Sequence, residues 1–215
     1  MGTRHNGGMP DKGRHWDDAY RDKGSQGVSW YQSEPVTSLE LVRLLDVVPS
    51  AAVIDVGGGT SFLVDRLVEA GFSDLSVLDV SEVALEEGRR RLKDQPKVTF
   101  IQHDVLTWQA PRHFGLWHDR AVFHFLTDEE QTGRYLATMS ESLEPDGSVV
   151  LGTFAEDGPS RCSDLPVARY TPSELAELLG PDFSVVSTRR EIHHTPSGAT
   201  QPFSWIAAKR SRFLK

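Results

Sequence analysis

Apolar and polar positions alternate between strand-like and helix-like segments along most of the chain. Short apolar runs predict buried β-strands at 52–56, 75–80, 98–102 and 148–154. A further strand is predicted within 115–126, a range that also includes the residues at its exit. Between them, apolar residues recur every three or four positions, which predicts helices at 38–48, 62–70, 82–93 and from 129 onward. A short helix at 171–179 and two further strands, 183–191 and 201–209, complete the pattern.

The alternation of strands and helices predicts an α/β fold. Strands joined by helical crossovers form a doubly wound, mostly parallel sheet with helices on both faces. Ligands of such sheets bind beyond the carboxyl ends of the strands. The residues that directly follow each predicted strand are therefore the candidates for ligand binding and catalysis.

Composition limits the classes of protein that fit. The chain has 215 residues, a net charge of −8 and one cysteine, Cys162. We expect a flexible segment at 1–13 and a single domain at 14–215, as a monomer or homodimer. The acidic balance argues against nucleic acid as a partner, and no apolar run reaches membrane-span length. A lone cysteine and the lack of an apolar leader predict a cytoplasmic protein without a metal site.

A glycine turn at 57–59 follows the first strand, and an acid, Asp55, stands two residues before it. Glycines there allow positive φ and close approach of a ligand, and the next helix presents free N–H groups. The dinucleotide fingerprint would require a third glycine where Phe62 stands. That departure counts against an NAD-dependent oxidoreductase.

The stretch Asp55-Val56-Gly57-Gly58-Gly59-Thr60-Ser61 resembles motif I of the class I S-adenosylmethionine methyltransferases, D-x-G-x-G-x-G, with serine at the third glycine. The resemblance implies that S-adenosylmethionine is the cofactor and that Asp55 and Gly57, Gly58 and Gly59 bind it. It also implies a seven-stranded sheet whose C-terminal hairpin contributes an antiparallel strand.

Two further acids follow strands two and three. Asp79 lies 20 residues beyond Gly59, a spacing at which a carboxylate accepts hydrogen bonds from ribose hydroxyls, with Val80 beside it. The alternative is a helix cap, although Ser81 is already placed to serve as one. By the resemblance, Asp104 and the backbone of Val105 contact adenine, and the alternative is that Asp104 caps a short turn.

Aromatic residues are dense in the polar N-terminal segment 14–35. Trp16 and Tyr20 share one face of a predicted helix, and Trp30 follows a glycine turn. The pattern resembles the entry segment of small thiopurine- and tellurite-resistance-type methyltransferases, which implies a lid over the cofactor. The alternative is a flap that seals the edge of the core.

Polar residues after strand four are the candidates for chemistry near the methyl donor. His118-Asp119-Arg120-Ala121 resembles the W-D-R-G segment of thiopurine methyltransferase-like proteins. Asp119 or His124 would accept a proton, and Arg120 would orient an acceptor anion or contact the cofactor's carboxylate. The alternatives are a structural ion pair for Asp119 and Arg120, and a core histidine bonded to backbone for His124.

These features together predict methyl transfer from S-adenosylmethionine to a nucleophile, on a small molecule because no separate docking domain is evident. A protein lysine is the first alternative acceptor. An NAD-dependent oxidoreductase and a non-catalytic S-adenosylmethionine-binding protein are the others. The long loop 155–170, which carries Cys162, has no assigned role at this point.

Overall fold

The computed structural model describes residues 12–211, and the order of its elements follows the sequence pattern. The helices in this part of the chain are α1 (Lys12–Lys23), α2 (Val36–Leu44), α3 (Leu63–Glu69), α4 (Glu82–Arg91), α5 (Glu129–Ser142) and α6 (Pro172–Leu179). The strands are β1 (Val53–Val56), β2 (Leu75–Asp79), β3 (Val98–Gln102), β4 (Phe114–Arg120), β5 (Leu143–Phe154), β6 (Arg161–Cys162), β7 (Leu165–Pro166), β8 (Phe183–His194) and β9 (Thr200–Arg210). A 3₁₀ turn at Phe123–Phe125 follows β4.

Seven strands form one sheet in the order β3-β2-β1-β4-β5-β9-β8. The first five strands pair in parallel, whereas β9 runs antiparallel to both β5 and β8. The predicted fold class is therefore confirmed. Strand order reverses on the two sides of β1 and β4, and a crevice opens at such a switch point.

Both faces of the sheet are covered, because the central strands are buried on each side. All four residues of β1 are buried, and Val53 and Ile54 belong to different apolar clusters on opposite faces. Helices α2 and α3 cover one face and α5 and α6 the other. A continuous apolar run with this double burial is typical of parallel sheets.

Two segments outside the predicted strands contain regular structure. Pro145-Asp146-Gly147, whose residue types favour a turn, lies inside β5, which spans five residue steps (143 to 148) where β4 spans two (114 to 116). Sheet pairing overrides the local turn chemistry and leaves a bulge. The loop 155–170 contains the β6–β7 hairpin, whose turn residues Ser163 and Asp164 have φ of 45° and 61°.

Helix α1 begins at Lys12, so it includes the last two residues of segment 1–13, which was predicted to be flexible. Residues 1–11 lie outside the described part of the chain. Asp17 fixes α1 to the start of α4. Its Oδ1 accepts hydrogen bonds from Ser81 Oγ at 2.7 Å and from the backbone N–H of Val83 at 3.1 Å.

Residues 12–211 contain neither a candidate membrane-spanning helix nor a candidate metal site. No helix there combines the length and apolarity that a bilayer span needs. No cluster of three or more histidine, cysteine or acidic side chains in the same range is arranged to hold a metal ion.

Asp17→Ala should loosen α1 without unfolding the domain. Losing charge-assisted bonds costs about 1.5 kcal/mol, which corresponds to roughly tenfold faster amide exchange in α1. Asp18→Ala is the matched control, since Asp18 bonds only Arg21 at the exposed surface. Hydrogen exchange read by mass spectrometry checks this, and equal exchange in both variants would contradict the docking role.

Candidate active site

The main cavity lies at the carboxyl ends of β1, β2, β3 and β4, where the switch point places it. Its volume is about 360 Å³, within the range of small-molecule sites. Nine residues singled out from the sequence lie on its wall: Trp16, Tyr20, Trp30, Gly57, Asp79, Val80, Asp104, Val105 and Arg120. A smaller cavity adds Asp55 and Gly58 and shares Tyr20, Trp30, Gly57 and Arg120 with the first.

The glycine turn is required by its surroundings. Gly57 has a φ of 68°, and a Cβ there would lie 2.0 Å from Val122 Cγ2. At Gly58 a Cβ would lie 2.5 Å from Asp55 Oδ2, and at Gly59 another would lie 2.7 Å from Asp79 Oδ2. The absent side chains therefore leave room for the two carboxylates. Gly59 itself lies off both cavity walls, beside Asp79.

Asp79 is a buried carboxylate at the end of β2. One oxygen accepts a hydrogen bond from the N–H of Ser81 at 2.9 Å, and Ser81 in turn caps α4 through Ala84 N. Burial, with a contribution from nearby Asp55, raises the pKa of Asp79 to about 7. The cap role thus belongs to Ser81, as its sequence position indicated.

Asp104 borders the cavity and also closes the short turn that was the alternative role weighed from the sequence, while its contact with adenine stays a prediction. Its Oδ1 accepts from Leu106 N at 3.0 Å, which closes the short turn, while its Oδ2 forms an ion pair with Lys12 at 3.1 Å. Val80 and Val105 supply apolar wall on either side of it.

Arg120 is a half-buried cation that borders both cavities. Its Nη1 donates to Trp30 O at 2.8 Å, and its guanidinium lies 4.8 Å above the ring of Phe203. Burial lowers the pKa of Arg120 to about 10, so it remains charged at neutral pH. Within residues 12–211, its Nε and Nη2 are buried without a hydrogen-bond partner.

Asp55 presents the complementary unpaired atom. Its Oδ1 bonds His118, whereas its Oδ2 is buried and has no partner in the described part of the chain. Buried charged atoms that lack partners are costly, and a bound ligand with both an ammonium and a carboxylate would satisfy both side chains.

The N-terminal aromatics cover this region. Trp16 packs edge-to-face on Trp30 and Phe125, with ring centroids 5.5 Å and 4.9 Å apart. Trp30 Nε1 donates to Tyr20 Oη at 3.2 Å. All three N-terminal rings border the main cavity, so they form part of its wall as well as packing on one another.

Asp119 does not face either cavity, which corrects the prediction of a catalytic role. Along β4, Trp117 and Asp119 point to one face of the sheet and His118 and Arg120 to the other. Asp119 accepts from Val122 N at 2.9 Å, Phe123 N at 3.1 Å and Tyr135 Oη at 2.5 Å. Burial raises the pKa of Asp119 to about 6. Its oxygens are committed to the exit of β4.

His124 is also a correction, because it borders neither cavity. Its Nδ1 accepts from Phe154 N at 3.3 Å, and its ring packs against Phe125 and Phe154. Burial, reinforced by the Arg120 charge, lowers the pKa of His124 to about 3. It is a neutral core histidine and a poor proton acceptor, the alternative that the sequence left open.

Several wall residues were missed from the sequence. They come from the exit of β4, from α5 and from the β6–β7 hairpin: Ala121, Val122, Phe125, Leu126, Thr127, Gln131, Cys162, Leu165 and Pro166. The residues after β4 could have been predicted, because they directly follow a parallel strand. The hairpin residues could not, because the approach of the hairpin to the cavity depends on long-range packing. Burial raises the pKa of the Cys162 thiol, which makes it an inert part of the wall.

Comparison with known proteins supplies the family. Residues 53–147 match the profile of the methyltransferase domain. Residues 53–147 thus carry a methyltransferase domain, and the whole sheet has the fold of the class I S-adenosylmethionine-dependent methyltransferases. The match begins at β1 and includes the glycine turn, Asp79 and Arg120. The thiopurine- and tellurite-type resemblance stays a prediction.

Curated relatives of this methyltransferase include the eEF1A lysine and N-terminal methyltransferase of Bos taurus, 28% identical over 152 residues, 66% of this chain and 21% of that protein. The chain thus spans about a fifth of that relative's length. The EEF1A lysine methyltransferase 2 of Danio rerio is 22% identical over 80% of this chain and 75% of its own.

Solved structures share the fold. The 1,6-didemethyltoxoflavin-N1-methyltransferase of Burkholderia thailandensis, bound to S-adenosylhomocysteine, has a TM-score of 0.69 at 22% identity, covering 93% of this chain and 84% of its own. The N-methyltransferase NodS of Bradyrhizobium japonicum, also bound to S-adenosylhomocysteine, has a TM-score of 0.70 at 16% identity, covering 90% and 97%.

Tyr135→Phe should destabilise the methyltransferase without weakening its cofactor site. The hydroxyl donates to Asp119 and accepts from Trp117 Nε1 at 2.9 Å, so its removal leaves the buried Trp117 Nε1 unpaired and takes one of several hydrogen bonds from Asp119. We expect a loss of about 2 kcal/mol and a melting temperature lower by about 4–8 °C. Tyr170→Phe, at a half-buried hydroxyl, should cost less. Unchanged melting with lost turnover would instead favour a catalytic Asp119.

Binding of S-adenosylhomocysteine should tighten as pH rises through about 7. A ribose hydroxyl donates best to the ionised carboxylate, and the raised pKa of Asp79 keeps much of it protonated below that pH. The raised pKa of Asp79 also stabilises the ligand-free fold. This stabilisation is full below about pH 4 and is lost as pH rises through 7. Below pH 7 we expect affinity to fall by up to about tenfold per unit.

Calorimetric titration between pH 6 and 8 measures this dependence. Asp79→Asn, which has no proton to lose, should bind more weakly with a flat profile. A flat profile in the unaltered protein would remove Asp79 from the ribose contact.

Proposed function

We propose that the protein transfers the methyl group of S-adenosylmethionine to a nucleophile on a small, largely apolar acceptor. The observation that supports it most is the pair of unpartnered buried charges, Asp55 Oδ2 and Arg120 Nε and Nη2, beside a glycine turn. Asp55 would take the α-ammonium of the cofactor and Arg120 its α-carboxylate. Asp79 would accept the ribose hydroxyls, with Asp104 and Val105 at the adenine.

The cofactor, when bound, supplies a methyl group already activated on a sulfonium sulfur. The chain's residues then have to align the acceptor and exclude water. Trp16, Trp30 and Phe125 provide the apolar cover above the cavity, and we propose that segment 14–35 acts as a lid. The exit of β4, α5 and the β6–β7 hairpin contribute no carboxylate or histidine to the described cavity wall, and we propose that the acceptor arrives with a free electron pair.

The acceptor wall is contributed by the exit of β4, by α5 and by the β6–β7 hairpin. It contains Phe125, Leu126, Leu165 and Pro166, and none of the described residues that these elements contribute is a carboxylate. An acceptor with an ammonium group would find no carboxylate on this wall to pair with. An uncharged apolar acceptor needs no such partner when it leaves water. This composition favours a small molecule.

A protein lysine is the second candidate acceptor. The relatives with lysine methyltransferase names favour it, among them one matched over 80% of this chain and 75% of its own. The aromatic rings of Trp16 and Trp30 are compatible with an alkylamine that has lost its proton. Cytoplasmic location and the monomer or homodimer state stay predictions from composition.

The acceptor class is tested by labelling. A cell lysate is separated by ultrafiltration into protein and small-molecule fractions, and each is incubated with the protein and S-adenosylmethionine labelled in its methyl group. We expect label in the small-molecule fraction, lost with the cofactor-site variant Gly57→Val. Label on protein alone, at lysine by mass spectrometry, would select the second candidate. No label in either fraction, with binding retained, would indicate a non-catalytic binding protein.

A further inference from the structure

Three buried polar side chains form a hydrogen-bonded row in the wall of the smaller cavity. Ser38 Oγ lies 2.9 Å from His118 Nε2, and His118 Nδ1 lies 2.7 Å from Asp55 Oδ1. The exposed fractions of the three residues are 1%, 2% and 2%. They come from α2, β4 and β1, so three separate elements meet at this row.

The carboxylate of Asp55 fixes the direction of the hydrogen bond at His118 Nδ1. A carboxylate only accepts, so His118 Nδ1 carries a proton and donates to Asp55. His118 Nε2 then accepts from the hydroxyl of Ser38 in the neutral tautomer. The ring is thereby held at both nitrogens, as a histidine is when a partner on one nitrogen sets the role of the other.

This arrangement leaves one atom of the row for a ligand. Asp55 Oδ2 is buried, has no partner in the described chain, and occupies the space that a side chain at Gly58 would fill. With Oδ1 tied to His118, rotation of the carboxylate is blocked, and Oδ2 stays beside the glycine turn. Arg120 borders the same cavity and carries the opposite charge.

We propose that Ser38 and His118 are positioning residues that hold Asp55 Oδ2 in place for the α-ammonium of the cofactor. The inference rests on the proposed function, since it concerns the same cofactor. Neither residue touches the ligand in this proposal; both act through Asp55. Ser38 is too enclosed to serve as the nucleophile of a hydrolase, although the order Ser–His–Asp would suit one.

The test compares two ligands that differ only at the amino-acid end. S-adenosylhomocysteine has the α-ammonium, and 5′-methylthioadenosine retains the nucleoside and sulfur without it. Calorimetry gives the dissociation constant of each for the unaltered protein and for Ser38→Ala, His118→Leu and His118→Asn. Asparagine retains a donor near the position of Nδ1, and leucine has none.

We expect His118→Leu to weaken S-adenosylhomocysteine by about tenfold or more, and Ser38→Ala by about threefold, with 5′-methylthioadenosine changed less than about twofold. His118→Asn should recover most of the affinity. Asp55→Asn should produce the same selective loss, and adding His118→Leu to it should produce little more. Ser142→Ala, a buried serine on α5, is the matched control and should change neither ligand.

Equal weakening of both ligands would overturn the proposal, since it would mean general loosening of the site. Unchanged binding of S-adenosylhomocysteine in His118→Leu would overturn it as well. If the unaltered protein binds neither nucleoside, the proposed function itself fails. If it binds both with equal affinity, the α-ammonium contact fails while the nucleoside site stands.

Discussion

Buried charge at one rim of a parallel sheet is the constraint on which the rest of this structure depends. Asp55, Asp79 and Arg120 stand at or near the ends of adjacent strands. Both carboxylates are buried, and Arg120 is half-buried with its Nε and Nη2 out of contact with water. Such groups are tolerated only where partners are supplied. Some of these partners are the backbone N–H of Ser81, the ring of His118 and the carbonyl of Trp30. The atoms left without a partner indicate which charges a ligand would have to carry.

The surrounding fold serves to keep these charges fixed and dry. The glycines of the turn yield the space that the carboxylates occupy, and Asp17 ties the covering helix to the cap of α4. On the opposite face, the exit of β4 is secured by Asp119 and Tyr135, so that Arg120 emerges at a defined point. A site of this kind is supported from both layers of helices.

Local sequence was sufficient where chemistry and secondary structure coincide. The glycine turn, Asp55 and Asp79 are separated by one strand-helix-strand unit, so their spacing alone predicted that they share a rim. Asp119 and His124 were misjudged because proximity along the chain was taken for proximity in space. The period-two alternation of β4 already separates Asp119 from Arg120, and the turn after β4 carries His124 into the core.

Longer-range features lay beyond such reasoning. Ser38 and His118 are 80 residues apart, and only the packing of α2 on the sheet brings them together. The Pro145–Gly147 segment shows the opposite effect, since strand pairing absorbed residues whose local chemistry favours a turn. Positions that depend on tertiary contacts need coordinates, whereas positions within one supersecondary unit do not.

The bond from Arg120 to the carbonyl of Trp30 links two tasks in one side chain. The guanidinium that we propose binds the cofactor's carboxylate also fastens the N-terminal segment to the sheet. In that proposal, ligand binding and one attachment of this segment depend on the same side chain. Replacing Arg120 would therefore alter both the affinity for the ligand and the rate at which the ligand exchanges. Separating the two quantities requires a change at Trp30, which leaves the guanidinium in place.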